Sequence, residues 1–271
     1  MRENMLFPSA SRCDMHTHSN HSCDARDSID AMAAAAIARG VRVLALTDHI
    51  DWHPNDMGFD RFDFGRFSDE FEAARDKYRD QLLLLKGFEA GEPQNYRALY
   101  ERELSRDYDV IIGSQHWVGG AMSGDPTITP ARFERYINTY LINIIRMIEL
   151  GGFQILAHLT FPLQYYGQHA LPMDLVCECL QKAAARGMAL EINTKSLRKG
   201  FPAPMPTREI VQLFAQVGGQ FVTFGSDAHR THEIAHGFEK LPQLLADTAL
   251  VPVYFQNRQA VGEPLGEQTH S

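Results

Sequence analysis

The stretch Cys13-Asp14-Met15-His16-Thr17-His18, running on to Asp24, carries side chains whose types and spacing suit metal chemistry. In an extended strand, residues two apart point to one side, so Asp14, His16 and His18 are expected on a common face with two imidazoles converging. Neutral imidazole is the commonest side-chain metal ligand. Donors of the same kind recur downstream in Thr47-Asp48-His49, Gly87-Phe88-Glu89, Gly113-Ser114-Gln115-His116, Ala157-His158, Glu191-Ile192-Asn193 and Ser226-Asp227-Ala228-His229. Clustered imidazoles and carboxylates hold divalent ions that act as Lewis acids and activate water. Each donor also has an ordinary reading. A histidine at a strand end can cap a loop, and one after an apolar run can be a satisfied core residue. Glu92 rivals Glu89, which is preferred because it sits nearer the strand end. Asp48 reads as a structural or supporting residue, and His21 as either a supporting or a loop residue. His53, His169 and His270 fall in loops or the tail and are expected to be solvated. His232 and His236, at helical i, i+4 spacing, are placed on the flank of the site.

These donors fall at the ends of short apolar runs, which read as strands at Arg12–His16, Arg42–Thr47, Leu82–Gly87, Asp109–Gly113, Phe153–Ala157, Ala189–Thr194 and Gln220–Gly225. Val251–Phe255 is a further strand or a closing segment. Helices are expected at Ser28–Arg39, Ser68–Asp80, Tyr96–Arg106, Thr129–Glu149, Pro172–Arg186 and Thr207–Val217, several of them stopping at glycine. Strand–helix alternation predicts a parallel α/β fold. An open sheet would spread the strand ends along a line of roughly 4.8 Å steps. A barrel gathers them around one mouth, where functional loops collect, and is therefore preferred.

The 271 residues show no internal repeat or linker-like shift in composition, and a single domain, 1–271, is expected. The net charge of −8 argues against nucleic acid or an anionic membrane as the main partner. The expected partner is a small molecule, and nothing in the sequence specifies an oligomeric state. Four cysteines without a C-x-x-C pair read as free thiols of a reducing cytoplasm. No signal-like run opens the chain and no apolar span is long enough to cross a membrane.

In order from Asp14 to His229, the motifs Asp-x-His-x-His, Thr-Asp-His, Gly-x-Glu, Gly-Ser-x-His, Ala-His and Ser-Asp-Ala-His resemble those of the polymerase-and-histidinol-phosphatase (PHP) family of metal-dependent phosphoesterases. The segment Leu190–Thr194 followed by Ser196-Leu197-Arg198 resembles its monofunctional histidinol-phosphate phosphatase branch. The resemblance implies a distorted (β/α)7 TIM-like barrel with three divalent transition-metal ions at the rim. Carried over by position, one ion takes His16, His18, Glu89 and Asp227. A second shares Glu89 and takes His116 and His158, and a third takes Asp24, His49 and His229. Such donors fit Zn, Mn or Fe.

The implied activity is phosphomonoester hydrolysis by a metal-activated hydroxide, with L-histidinol phosphate, from histidine biosynthesis, as the favoured substrate. One feature departs from the branch. Its members tend to carry a basic residue after the strand-five histidine, whereas Leu159–Tyr166 has none. Arg198 then remains to clamp phosphate, since a guanidinium matches it bidentately. His229, Asp24 or a second bound water would protonate the leaving alcohol. His21, Glu191 and Asn193 would orient ligands or the substrate amine, and Asp14 would orient a histidine. The alternative is a PHP phosphoesterase of another class, such as one acting on a nucleotide or oligonucleotide phosphodiester; the acidic balance and lack of basic tracts argue against it. Amidohydrolase-type chemistry calls for a strand-end lysine, and Lys195 lies just past strand six.

Overall fold

The computed structural model of the protein describes residues 12–167 and 169–262, so that His270 and the first residues of the chain lie outside it. Eight parallel strands form one sheet in chain order: β1 (Cys13–Thr17), β2 (Val43–Asp51), β3 (Leu83–Gly91), β4 (Val110–Ser114), β5 (Ile155–Leu156), β6 (Ala189–Asn193), β7 (Phe221–Gly225) and the short β8 (Val251–Pro252). Between them run α1 (Ile29–Ala38), α2 (Phe64–Tyr78), α3 (Arg97–Leu104), α4 (Pro130–Leu150), α5 (Met173–Ala185) and α6 (Arg208–Gln216). The local reasons are those expected. The Ser28 hydroxyl caps α1 by accepting from Ala31 N, Pro130 opens α4, and Gly151 ends α4 at φ +73°. No helix among the described residues is long and apolar enough to cross a membrane.

The sheet curls into a distorted barrel. Thr17 bridges Ala228 in parallel, His18 N–H donates to Ala228 O at 2.8 Å, and Asp227 N–H donates to His16 O at 2.8 Å. β1 therefore meets the chain leaving β7, and closure is made at the C-terminal rim. At the other end β8 pairs with the first residues of β7, Val251 opposite Phe221 and Pro252 opposite Val222. Alternate strand residues separate two apolar layers. Val43, Ala45, Leu85, Ile112 and Ala189 fill the interior, plugged from below by Val253 and Phe255. Leu44, Leu46, Phe88, Ile111, Leu190 and Phe224 face the helices.

Two departures from expectation matter for the site. β2 and β3 continue to Asp51 and Gly91, pairing in register from Thr47 opposite Gly87 to Asp51 opposite Gly91. Their polar ends look like loops only because the barrel interior turns polar towards the rim. In β1 the pairing shifts register between Asp14 and Thr17. Cys13 and Met15 pack in the interior, and the irregularity then turns His16 inward as well. Asp14 faces the other way and does not share the face of the two histidines.

Candidate metal centre

Glu89 is the hub. It stands directly opposite His49 in the β2–β3 register, which brings its Oε2 to 3.1 Å from His49 Nδ1. The same oxygen lies 3.1 Å from His16 Nε2 and 3.6 Å from His18 Nε2. Its Oε1 lies 3.0 Å from His158 Nε2 and 3.4 Å from His116 Nε2. Five imidazoles from four strand ends, two of them from β1, thus surround one buried carboxylate. Asp227 Oδ1 approaches His18 Nε2 at 3.5 Å and His229 Nδ1 at 3.4 Å. Asp24 Oδ2, at the mouth, lies 2.9 Å from His229 Nε2 and 3.8 Å from His49 Nε2. All nine residues named as ligands are gathered here.

The rings are oriented from behind. Ser22 Oγ donates to Asp48 Oδ1 at 2.7 Å and so accepts from His18 Nδ1–H at 3.1 Å, leaving His18 Nε2 to face the centre. Glu191 Oε1 takes His16 Nδ1–H at 2.6 Å, and Asp227 O takes His229 Nδ1–H at 2.9 Å. His18 Nε2, His49 Nδ1 and His229 Nε2 are buried with carboxylate oxygens 3.5, 3.1 and 2.9 Å away but make no hydrogen bond to them. Orphaned nitrogens of this kind, aimed at one point beside ionised carboxylates, fit metal ions. The side chains form four overlapping trios, His18/His49/His229, His16/Glu89/His158, His16/His18/Asp227 and His49/Glu89/His116, with ligand atoms within 4.8 Å of one another.

Electrostatics favour ionised carboxylates. Burial opposes charge on Glu89, but the His16, His49 and His116 imidazoles outweigh it and hold the carboxyl well below the usual range. Burial likewise opposes charge on Asp227, and Lys195 and His16 overcome it. Burial, with His229 and His49 nearby, pushes His18 well below the ordinary histidine range, which keeps it a neutral donor. Asp24 is lowered despite burial, chiefly by His229 and His49. An ionised carboxylate at this position suits a metal ligand.

Several expected contacts are different in the folded chain. Arg198 donates to the Ser226 carbonyl and, at 2.9 Å, to Asp227 O, with Nε 3.6 Å from Glu233 Oε1. Its guanidinium braces the loop that carries Asp227 and does not clamp phosphate. His21 turns away to Glu70 Oε2 at 3.0 Å and packs edge-on to Phe67, so it is no substrate contact. Asn193 is fully buried and donates to Glu191 Oε1 at 3.2 Å and Asp227 Oδ2 at 3.4 Å; it holds carboxylates where a substrate contact was expected. Asp14 accepts from Ser226 N and Ala235 N, each at 2.9 Å, and so ties β1 to the loop after β7 without orienting a histidine ring. Glu92 binds the His116 and Trp117 amides, and Asp48 the Ser19 and Ser22 amides and hydroxyls.

His232 and His236 are exposed, with His232 in a three-residue turn of helix and not on a shared face with His236. His53 stacks on Trp117 with ring centroids 4.0 Å apart, and His169 stacks on Phe133 at 4.3 Å, so neither ring is simply solvated.

A cavity of about 250 Å³ opens over the cluster, walled by Trp117, Phe161, Tyr165, Asp51, Asp56 and Lys195. Trp117 is fixed by donating Nε1–H to Asp56 Oδ2 at 2.8 Å. Asp51 was legible in principle, being two residues beyond His49 on the same strand face. The Trp117–Val118/Ala121–Met122 hairpin and the short helix Lys195–Arg198 had no comparable pattern.

A curled parallel barrel with a histidine- and carboxylate-lined rim defines the class of metal-centred α/β barrels. The chain belongs to the PHP domain family, whose model matches residues 14–195. It is 28% identical over 259 residues to a probable histidinol-phosphatase of Clostridium acetobutylicum, covering 90% of this chain and 97% of that protein. It is also 30% identical over 244 residues to a probable phosphatase of Vibrio parahaemolyticus, covering 84% of this chain and 86% of the other. Among solved structures, the fold matches histidinol phosphate phosphatase from Lactococcus lactis, complexed with zinc, L-histidinol and phosphate, with a TM-score of 0.78 at 20% identity, over 93% of this chain and 99% of that one.

Proposed function

We propose that the protein is a single-domain, metal-dependent phosphomonoesterase acting on L-histidinol phosphate in the cytoplasm. In this reading His16, His18, Asp24, His49, Glu89, His116, His158, Asp227 and His229 hold three divalent ions of zinc, manganese or iron. The observation that carries the reading is the Glu89 carboxylate facing five imidazoles within 3.6 Å. An ordinary buried ion pair needs one partner. Five around one carboxylate suit a bridging ligand between ions. When bound, such ions supply charge neutralisation at phosphate and an activated water for in-line attack.

The chain's own groups do the rest. Glu191, Ser22 and the Asp227 carbonyl set ring orientation, and Arg198 fixes the loop that presents Asp227. The cavity offers an aromatic wall of Trp117, Phe161 and Tyr165 together with the carboxylates of Asp51 and Asp56. That combination suits an alcohol bearing an amine and an imidazole, which supports histidinol phosphate over a polyanionic nucleotide. The relatives named histidinol-phosphatase support the same choice.

The test is metal analysis of protein purified without chelators, followed by hydrolysis of histidinol phosphate beside other phosphomonoesters and a dinucleotide. Stoichiometric transition metal with preferred hydrolysis of histidinol phosphate is expected. Rapid hydrolysis of the others alone would remove the substrate assignment and leave the class. Absence of bound metal would remove the centre.

A further inference from the structure

We propose that Lys195 is the side-chain cation that grips the substrate phosphate, in the place where the sequence pattern pointed to Arg198. This rests on the phosphomonoesterase reading and adds a binding residue to it.

The cavity over the cluster is lined by five carboxylates, Asp24, Asp51, Asp56, Glu89 and Asp227, and Lys195 is its one lysine or arginine among the described residues. The segment after His158 contributes no basic residue, and the Arg198 guanidinium is turned to the carbonyls of Ser226 and Asp227. A phosphate dianion entering over the ions has this lysine as the cationic side chain in reach.

Its position is built. Lys195 N–H donates to Asn193 Oδ1 at 3.0 Å and Thr194 N–H to Gly225 O at 2.9 Å, which pins the main chain at the end of β6. The side chain then lies mostly buried, with Nζ 2.9 Å from Asp227 Oδ1. An ammonium carries three donors, and this contact uses one. The other two are available to a phosphate oxygen beside the carboxylate that faces His18. One turn on, Lys199 Nζ sits 4.3 Å from the Tyr165 ring on the cavity wall and adds a second positive charge at the mouth. These two charges offset part of the repulsion that the five carboxylates exert on an anion at the mouth.

The experiment compares the parent protein with Lys195→Met and Lys195→Arg, all metal-loaded. It measures inorganic phosphate binding by calorimetry, metal content, and KM and kcat for histidinol phosphate. Lys195→Met is expected to keep its metal and to bind phosphate at least about tenfold more weakly, the scale of one charge-assisted hydrogen bond. KM should rise in parallel, and Lys195→Arg should restore phosphate affinity to within about threefold of the parent. Phosphate affinity in Lys195→Met within twofold of the parent overturns the proposal. So does loss of metal in step with phosphate, which would make Lys195 a support for Asp227. A parent that binds no phosphate and cleaves no phosphomonoester overturns the functional reading itself, and the lysine's role with it.

Discussion

Glu191 Oε1 accepts from His16 Nδ1–H at 2.6 Å, while Oε2 of the same carboxylate accepts from the His158 main-chain N–H at 2.7 Å. One side chain on β6 thereby orients an imidazole on β1 and the backbone leaving β5. The carboxylate also makes His16 a stronger donor, since burial opposes protonation and Glu191 and Glu89 more than reverse it. Glu191→Gln preserves the shape and removes the charge. Metal affinity should fall by about 10- to 100-fold, as for other carboxylate partners of ligand histidines. Competition with a graded series of chelators reads this directly; an unchanged affinity would mean that His16 is held by packing alone.

Gly225 lies where β7 passes closest to that pair. A Cβ there would overlap Glu191 Oε1 and come within 2.7 Å of His16 Cβ, whereas one at Gly120 would meet nothing within 4 Å. Gly225→Ala should destabilise the protein by about 1–3 kcal/mol, the usual cost of overpacking, and lower metal occupancy by displacing His16. Gly120→Ala should do neither. Urea denaturation and metal analysis on the two variants distinguish a site effect from a general sensitivity to added methyls.

Removal of metal should abolish hydrolysis and lower thermal stability. Each ion present at about 1,000 times its dissociation constant contributes about 4 kcal/mol. Without metal, burial works against protonation of His16, His49 and His116, but the surrounding carboxylates raise all three, Glu191 foremost at His16 and Glu89 foremost at His49 and His116. Ligation requires the neutral ring, so metal uptake near neutral pH should release protons, and affinity should fall as pH drops. Calorimetry in buffers of different ionisation enthalpy counts the protons; uptake without proton release would contradict this account of the centre.

Glu92 predicts a pH dependence of the metal-free protein. Burial raises its carboxyl from 4.5 to about 7, opposed by His116 and by the amides of His116 and Trp117. Between those two values the native state holds a proton that the unfolded state has released, so stability falls as pH rises from about 4.5 to about 7, and the full cost stands above that. At ~1.36 kcal/mol per pH unit the cost approaches about 3 kcal/mol. Glu92→Gln keeps an acceptor for both amides without the charge. It should therefore gain stability relative to the parent at pH 8 and little at pH 4.5, as read by denaturant midpoints; equal gains at both would place the effect elsewhere.

Much of this centre is readable in one dimension because strand ends are local features. Apolar runs ending in His49, Glu89, His116, His158 and Asp227 mark both the strands and the donors, and parallel strands in chain order bring their C-terminal ends to one rim. Helix starts and stops such as Ser28, Pro130 and Gly151 are equally local, since each satisfies or ends the backbone of its own segment. The strand limits at Thr47 and Gly87 were less legible. Polarity there reflects the interior of the rim, a property of the closed barrel.

What the sequence by itself determined is the α/β alternation, the parallel strand order and the types of donor offered at each strand end. Tertiary structure decided which way each donor faces and what stands behind it. The register shift in β1 separates Asp14 from His16 and His18, because a break in alternation arises from pairing with β2 and not from the residues alone. The hydrogen bonds of Glu191, Asp14 and Arg198 join residues remote in the chain, so they follow only from barrel closure. The same closure turns Arg198 away from the cavity to brace a loop and leaves Lys195, three residues earlier on the same short helix, facing the cavity.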